Sequence, residues 1–460
     1  MKKFFTIIFL CLLISFAQAD TYIPVSSEIY NNLRRLEALG FINSGQLTTL
    51  PLSIKEVNRL IKEAETLANK DSLAVKLIDN IKRELPSDNF AINANLNYKY
   101  TENNSTLINK NNSDIDTEKG SNLLLSTDIY ATYDNFGFRA SPYFTSNEKY
   151  EKVSFNELYA MGTYKKLEFS LGKENQWWGG GQNGSILLSN NAEGLNVFKI
   201  SNSTPYEFLI PFRFTFFISK LENNRLDVKS PYINGVRLTL KPSKYLEIGL
   251  SKTALYGGRG RDNSFSAFVD SFIGNKEKNT TSNINKEPGD QRAGFDFKLI
   301  SPNSIQPFTF YLEAIGEDVS DDFPYPYKYA FIYSLYLPKV LSFNNLELLI
   351  EHADTVFRQN VWYRHHIFTQ GYTYNGDIIG HYIGGNAKDW FVKATYNFSE
   401  SKLNLSYERY RKYSPNFVWE SYMLSFQHNL TQKFSYSLET ALSNEDKAKM
   451  LISVGLQYKF

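Results

Sequence analysis

Residues 454–460 alternate without a break: Val454, Leu456, Tyr458 and Phe460 are apolar, and Gly455, Gln457 and Lys459 stand between them. A period of two belongs to a strand with one apolar and one polar face. The same pattern predicts strands at 90–100, 123–133, 208–218, 308–314, 329–337, 403–410 and 423–430, and from Phe90 onward the chain reads as strands and loops only. The full count is about 18, an even number as bacterial single-chain barrels require. Lipid on one side and a wet lumen on the other would impose this alternation. The predicted fold class is therefore an all-β outer-membrane β-barrel of antiparallel strands.

Connection lengths support the register. Working back from a last strand that ends in the periplasm, the short turns 164–166, 241–244, 301–305, 399–401 and 429–432 all fall on the periplasmic side. The long polar connections 101–120, 172–193, 220–231, 254–291, 316–327 and 353–389 all fall outside. This asymmetry is expected of outer-membrane barrels, and a misread register would scramble it. The closing aromatic, Phe460, resembles the terminal strand of such barrels, where it acts as an assembly signal at the membrane interface.

The chain before Phe90 has a different period. Ile29, Leu33, Leu36 and Leu39 lie at helical spacing, with Gly40 placed to end the helix. Ser53 can cap a second helix, with Glu56 completing a capping box and Val57, Leu60, Ile61, Ala64 and Leu67 as its apolar stripe. A third helix runs over 71–85 and stops at Pro86. Short amphipathic helices must pack on each other or on the barrel, so a helical bundle that stabilises or plugs the periplasmic end is expected. An interfacial membrane role is the lesser reading. The domains are then 1–19, 20–88 and 89–460.

Lys2 and Lys3 precede the apolar run 4–16, and Ala17, Gln18 and Ala19 supply a small-x-small pattern before Asp20. This predicts a secretory signal peptide over 1–19. No later stretch approaches the roughly 20 apolar residues of a spanning helix. The sole cysteine, Cys11, lies within the signal, where residues 8–10 lack the small side chains of a lipoprotein cleavage box. Removing Lys2 and Lys3 lowers the formal charge from +2 to zero, which leaves no basic field for nucleic acid. A mean hydropathy of −0.37 beside 31 Tyr and 35 Phe suits strands with an aromatic lipid face and a polar interior. A soluble sandwich shares that composition, but a repeat-free β-region this long exceeds one sandwich and fits one large barrel.

The densest candidate site is GKENQWWGGGQNGSILLSNNAEG, from Gly172. The apolar face of a pyranose stacks on indole, so Trp177 and Trp178 are candidate stacking residues. Glu174, Gln176, Gln182 and Asn183 offer planar groups for paired sugar hydroxyls. Gly179, Gly180 and Gly181 would let backbone approach closely. The competing structural reading puts the two tryptophans in the aromatic girdle, with the glycines merely turning the loop. A second site, WYRHHIFTQGYTYNGDIIGHYIGG from Trp362, holds three of the five histidines. His365 and His366 are adjacent and would point apart in a strand, so no metal site is assigned. No nucleophile-elbow sequence supports a hydrolytic triad, so no catalytic residue is assigned and no cofactor is expected. Arg358, Arg364 and His366 are candidates for acidic sugar groups, which guanidinium binds at two points.

The tryptophan stretch, the RHHIFTQGYTYNGDIIGHYIGG stretch and the N-terminal RRLEALGFI segment together resemble the capsule assembly Wzi family, outer-membrane lectins of Gram-negative bacteria. The resemblance covers nearly the whole chain after 1–19. Members commonly carry Pro where this chain has Gly180. It implies an 18-stranded barrel with a periplasmic helical bundle, binding exported capsular or other surface polysaccharide and organising it into a capsule. Outer-membrane lipid and the polysaccharide export machinery are the further partners implied, and no reaction is. The alternative from another class is a porin-like channel for sugars or small solutes, against which the helical segment narrowing one mouth weighs.

Overall fold

The computed structural model describes residues 20–86, 88–102, 109–113, 115, 117–273, 289–302, 305–317, 328–357, 362–444 and 448–460. The expected signal peptide, with Cys11, lies outside them. Eighteen antiparallel strands close into one barrel. Strand Phe90–Thr101 seals it, pairing with Gly120–Tyr133 on one side and with the last strand, Ala448–Lys459, on the other, where Leu96 faces Leu456.

The period-two pattern becomes an inside and an outside. On strand Phe212–Lys220, Arg213, Thr215, Phe217 and Ser219 are buried in the lumen, whereas Phe212, Phe214, Phe216 and Ile218 face out and stay partly exposed. This strand begins four residues later than the apolar run suggests. Tyr206 and Phe212 exchange backbone hydrogen bonds of 2.9 and 3.1 Å, which leaves Phe208 and Leu209 exposed on a turn. The expectation of strands and loops alone after Phe90 also needs correction, because connection 254–291 contains the helix Phe265–Ile273. Phe265, Phe268, Val269 and Phe272 have helical spacing, which a loop assignment based on length overlooks.

Among the described residues three helices, Ile29–Ala38, Ile54–Ala68 and Ser72–Glu84, precede the barrel and share one apolar core. Gly40, at φ +86°, ends the first as expected: Gly40 N–H donates to Glu37 O and Phe41 N–H to Leu36 O, the two bonds of a Schellman motif. Ser53 Oγ accepts from Glu56 N at 3.4 Å, but the Glu56 carboxylate grips Arg59 at 2.7 Å through both oxygens, so no reciprocal capping box forms. The stripe of the second helix is buried except for Leu67, which is 41% exposed; Ala68 is buried instead.

The helices sit at the short-turn end. Arg35, 2% exposed, donates to Pro338 O at 3.0 Å and Asn344 O at 2.5 Å and pairs with Glu347 at 2.9 Å. Lys402 pairs with Glu28 at 2.6 Å and Arg83 with Glu400 at 3.2 Å. Several long connections at the opposite end turn inward, and they build the candidate site.

Candidate functional site

The tryptophan loop runs down into the lumen. Trp177–Trp178 forms a short antiparallel ladder with Thr49–Leu50, from the segment joining the first two helices. Gly179 N donates to Thr48 O at 2.8 Å, and Trp178 N to Leu188 O at 3.0 Å. Trp177, 7% exposed, joins the helical core and donates its Nε1 to Gly181 O at 3.0 Å. Trp178, 1% exposed, packs edge-on against Phe217 with ring centroids 5.4 Å apart.

Lumen-facing carboxylates fix the rest of the loop. Glu351 accepts from Gln182 N at 2.9 Å and Asn183 N at 3.0 Å, and Glu313 accepts from Ile186 N at 3.0 Å. Asn183 Nδ2 donates to Tyr382 OH at 2.7 Å and to Asp389 at 3.2 Å, while its Oδ1 accepts from Lys110 at 2.9 Å. Lys110 also pairs with Glu408, and Glu174 with Lys199.

Loop 355–386 supplies the other half. Trp362, Tyr363, Phe368, Tyr372, Tyr374, Ile379, Tyr382 and Ile383 share a core with Trp178, Ile186, Leu187 and Leu188. Tyr363 OH donates to Ile186 O at 2.7 Å and accepts from His381 N at 3.0 Å, tying the two loops. Arg225, 1% exposed, donates to Gly371 O at 3.0 Å and Thr373 O at 2.9 Å. Burial raises the Tyr363 and Tyr372 hydroxyls well above their usual range. His381 is fully buried, and burial, with Lys110 second, pushes its imidazole down to about 3. Over this core stand Arg364, His366, Thr369, Asn375 and Gly376, all exposed, the last two at the tip of hairpin Thr373–Tyr374 and Asp377–Ile378. Arg364 lies close enough to Lys412 for the two like charges to repel.

The sugar-stacking expectation therefore meets a different arrangement. Glu174, Gln176, Trp177, Trp178 and Asn183 are buried and Gln182 is half-buried. Neither indole presents a face to solvent, and neither sits in an outer girdle, because the loop folds inward onto Thr49 and Leu50. Gln176 is buried with no hydrogen-bond partner for either amide atom among the described residues. Of the second group, Arg364 and His366 are exposed together, while Arg358 lies outside the described residues. No cluster of metal-ligating side chains occurs among the described residues. Sequence reasoning missed Glu313, Glu351, Asp389 and Arg225. A carboxylate at an inward position of a strand was the available signal for the first three.

Known proteins share this architecture. The family described as Capsule assembly protein Wzi matches residues 96–458. A Klebsiella pneumoniae protein, described as an uncharacterized 55.8 kDa protein in the cps region, is 28% identical over 323 residues, 67% of this chain. The match spans 60% of that relative's own length. A solved structure from Escherichia coli, described as Wzi, an outer membrane protein involved in group 1 capsule assembly and a carbohydrate-binding β-barrel, has a TM-score of 0.80 at 20% identity. That similarity covers 95% of this chain and 99% of the other, and it shows the fold.

Proposed function

The chain belongs to the capsule assembly protein Wzi family, and from that premise we propose an outer-membrane lectin that binds exported capsular or related surface polysaccharide and organises its attachment at the cell surface. The observation that carries the reading is the loop platform. Two long connections fold onto one aromatic core, the tryptophan loop tied to the barrel wall by Glu313 and Glu351 and loop 355–386 tied to that loop by Tyr363, and over this core Arg364, His366 and the Asn375 tip are exposed. The E. coli protein's description as carbohydrate-binding supports the same reading. In this proposal the long-loop end faces the outside and the helices face the periplasm, with outer-membrane lipid and the export machinery as further partners.

The roles of the residues divide by depth. Arg364 and His366, with Arg358 of the same connection, contact acidic groups of the polymer by charge-assisted hydrogen bonds. Glu174, Gln176, Trp177, Trp178, Gln182 and Asn183 support them from below. Each contact is weak, and repetition along a long polymer gives retention. Binding, with no reaction, is the proposed activity.

A pull-down of folded protein with the cell's own surface polysaccharide tests this. Selective retention over unrelated polymers is expected, falling at least about fivefold in Arg364→Ala/His366→Ala, the loss of about 1 kcal/mol. Equal retention of all polymers, or no loss in the double variant, overturns it.

A solute channel is the second reading, favoured by a cavity of about 610 Å³ between the helices and the wall, lined by Asn93, Asn95, Ser126, Tyr143 and Gln457. A steady open conductance in planar bilayers would support it. The lectin reading expects none, because the tryptophan loop bridges the lumen to the helical segment.

A further inference from the structure

Outward positions on a barrel strand normally stay partly exposed, because lipid is their neighbour. Near the long-loop end Asn234, Ala254, Tyr256 and Gln291 are among those that do not, at 1, 0, 5 and 8% exposed. Helix Phe265–Ile273 lies across this part of the outer wall. Phe268 and Phe272 pack on outward Phe216, with ring centroids 6.3 and 6.0 Å away, and Phe268 lies 6.1 Å from Tyr256. Asn234 Nδ2 donates to Ser271 Oγ at 3.0 Å.

On the side away from the wall Phe265 and Ile273 are 78% and 64% exposed, with Val269 between them, while Ser266 and Asp270 form a narrow polar strip. A helix with a broad apolar side and a narrow polar strip lies in the plane of a membrane interface, its apolar side toward the acyl chains. Its level is that of an aromatic girdle: Tyr232 and Tyr256 stack at 5.5 Å, and Lys220 lies over Tyr232 at 5.8 Å. Below them, on the same outward face, Lys252 stands between ladder partners Val236 and Ala293, with no carboxylate partner among the described residues. It is four residues from Tyr256, about 10 Å deeper for a tilted strand. A lipid-facing cation is costly unless its stem snorkels toward an anion.

We propose that helix Phe265–Ile273, Lys252 and Lys220 form an outer-wall site for a phosphorylated glycolipid of the outer leaflet. The acyl chains lie against Phe265 and Ile273, and the phosphates pair with the two lysines. Continuity with the lipid-facing belt and the unpaired cation within it favour lipid over a protein partner.

Two measurements test this on full-length protein carrying Cys11→Ala, so that an introduced thiol is unique. Nitroxide labels at Phe265→Cys and Ile273→Cys, in phosphatidylcholine nanodiscs containing lipid A, should collide with oxygen more than with a water-soluble nickel chelate. In this they should match a label at lipid-facing Leu250→Cys and differ from one at loop residue Leu226→Cys. Labels that behave like the one at Leu226→Cys place the helix in water and overturn the proposal. Native mass spectrometry of protein released from those nanodiscs should show retained lipid A, reduced about fivefold by Lys252→Gln, as one cation at an anionic surface warrants. Unchanged retention in Lys252→Gln, in protein whose barrel still migrates as folded before heating, overturns the phosphate pairing.

Discussion

Thr49 and Trp178 are ladder partners. The first belongs to the helical segment at the short-turn end of the barrel, and the second to a loop that starts at the other end. One short ladder thus joins both ends through the lumen, and each side covers apolar surface that the other would leave wet: Leu50 and Trp177 lie in one core.

Room for Trp178 comes from Gly235, an inward position of strand Tyr232–Ser243. A Cβ there would lie 2.3 Å from Phe217 and 2.9 Å from Trp178. Gly235→Ala is expected to cost about 1–3 kcal/mol by overpacking. Trp178→Ala, which removes the buried indole, should cost about 3–5 kcal/mol. Thermal unfolding in detergent checks both, and unchanged midpoints would remove Trp178 from its central position.

Glu351 accepts two consecutive backbone N–H groups, those of Gln182 and Asn183. Glu351→Gln keeps the shape but turns one acceptor into a donor. One loop amide should lose its partner, at about 1–3 kcal/mol for a buried group. The amides of Gln182 and Asn183 should then exchange hydrogen faster while those of the barrel strands do not. Uniform protection across the variant would show that the loop does not depend on this carboxylate.

Arg35 clamps the helices to the barrel through two carbonyls and Glu347. Arg35→Ala leaves Glu347 without its ionic partner, and removing one member of a buried pair costs about 3–5 kcal/mol. Limited proteolysis should cut within the helical segment first and spare the strands. Equal resistance in wild type and variant would mean that the helical core alone holds the segment in place.

The barrel was legible because lipid and lumen impose a period of two that survives in single residues, as Val454, Leu456 and Tyr458 show. The helix ends at Gly40 and Ser53 were legible for a similar reason, since caps act within four residues of chain. The inward fold of the tryptophan loop was not legible. A Gly-rich run with amides looks the same facing a sugar or a lumen wall, and what decides between them is contact with Glu313 and Glu351, 127 and 169 positions away. The exposure of Arg364 and His366, on a connection read as lying outside, was legible because it follows from loop length alone.

His381 gives the platform a pH dependence with a definite sign. Its ring is buried against Gly184, where an added Cβ would lie 2.2 Å from Nε2, and Lys110 acts on it as a like charge. Burial holds the folded-state value at about 3, below the usual 6.5. Between those values an unfolded chain takes up a proton that the folded chain refuses. The neutral ring's contribution is therefore complete above pH 6.5 and falls as the pH drops toward 3. The slope is about 1.4 kcal/mol per pH unit. His381→Gln removes this titration, so the stability of wild type relative to the variant should decrease by that slope on acidification through the window. Parallel stability curves from pH 7 to pH 4 would show that the imidazole is reached by water and protonates in place.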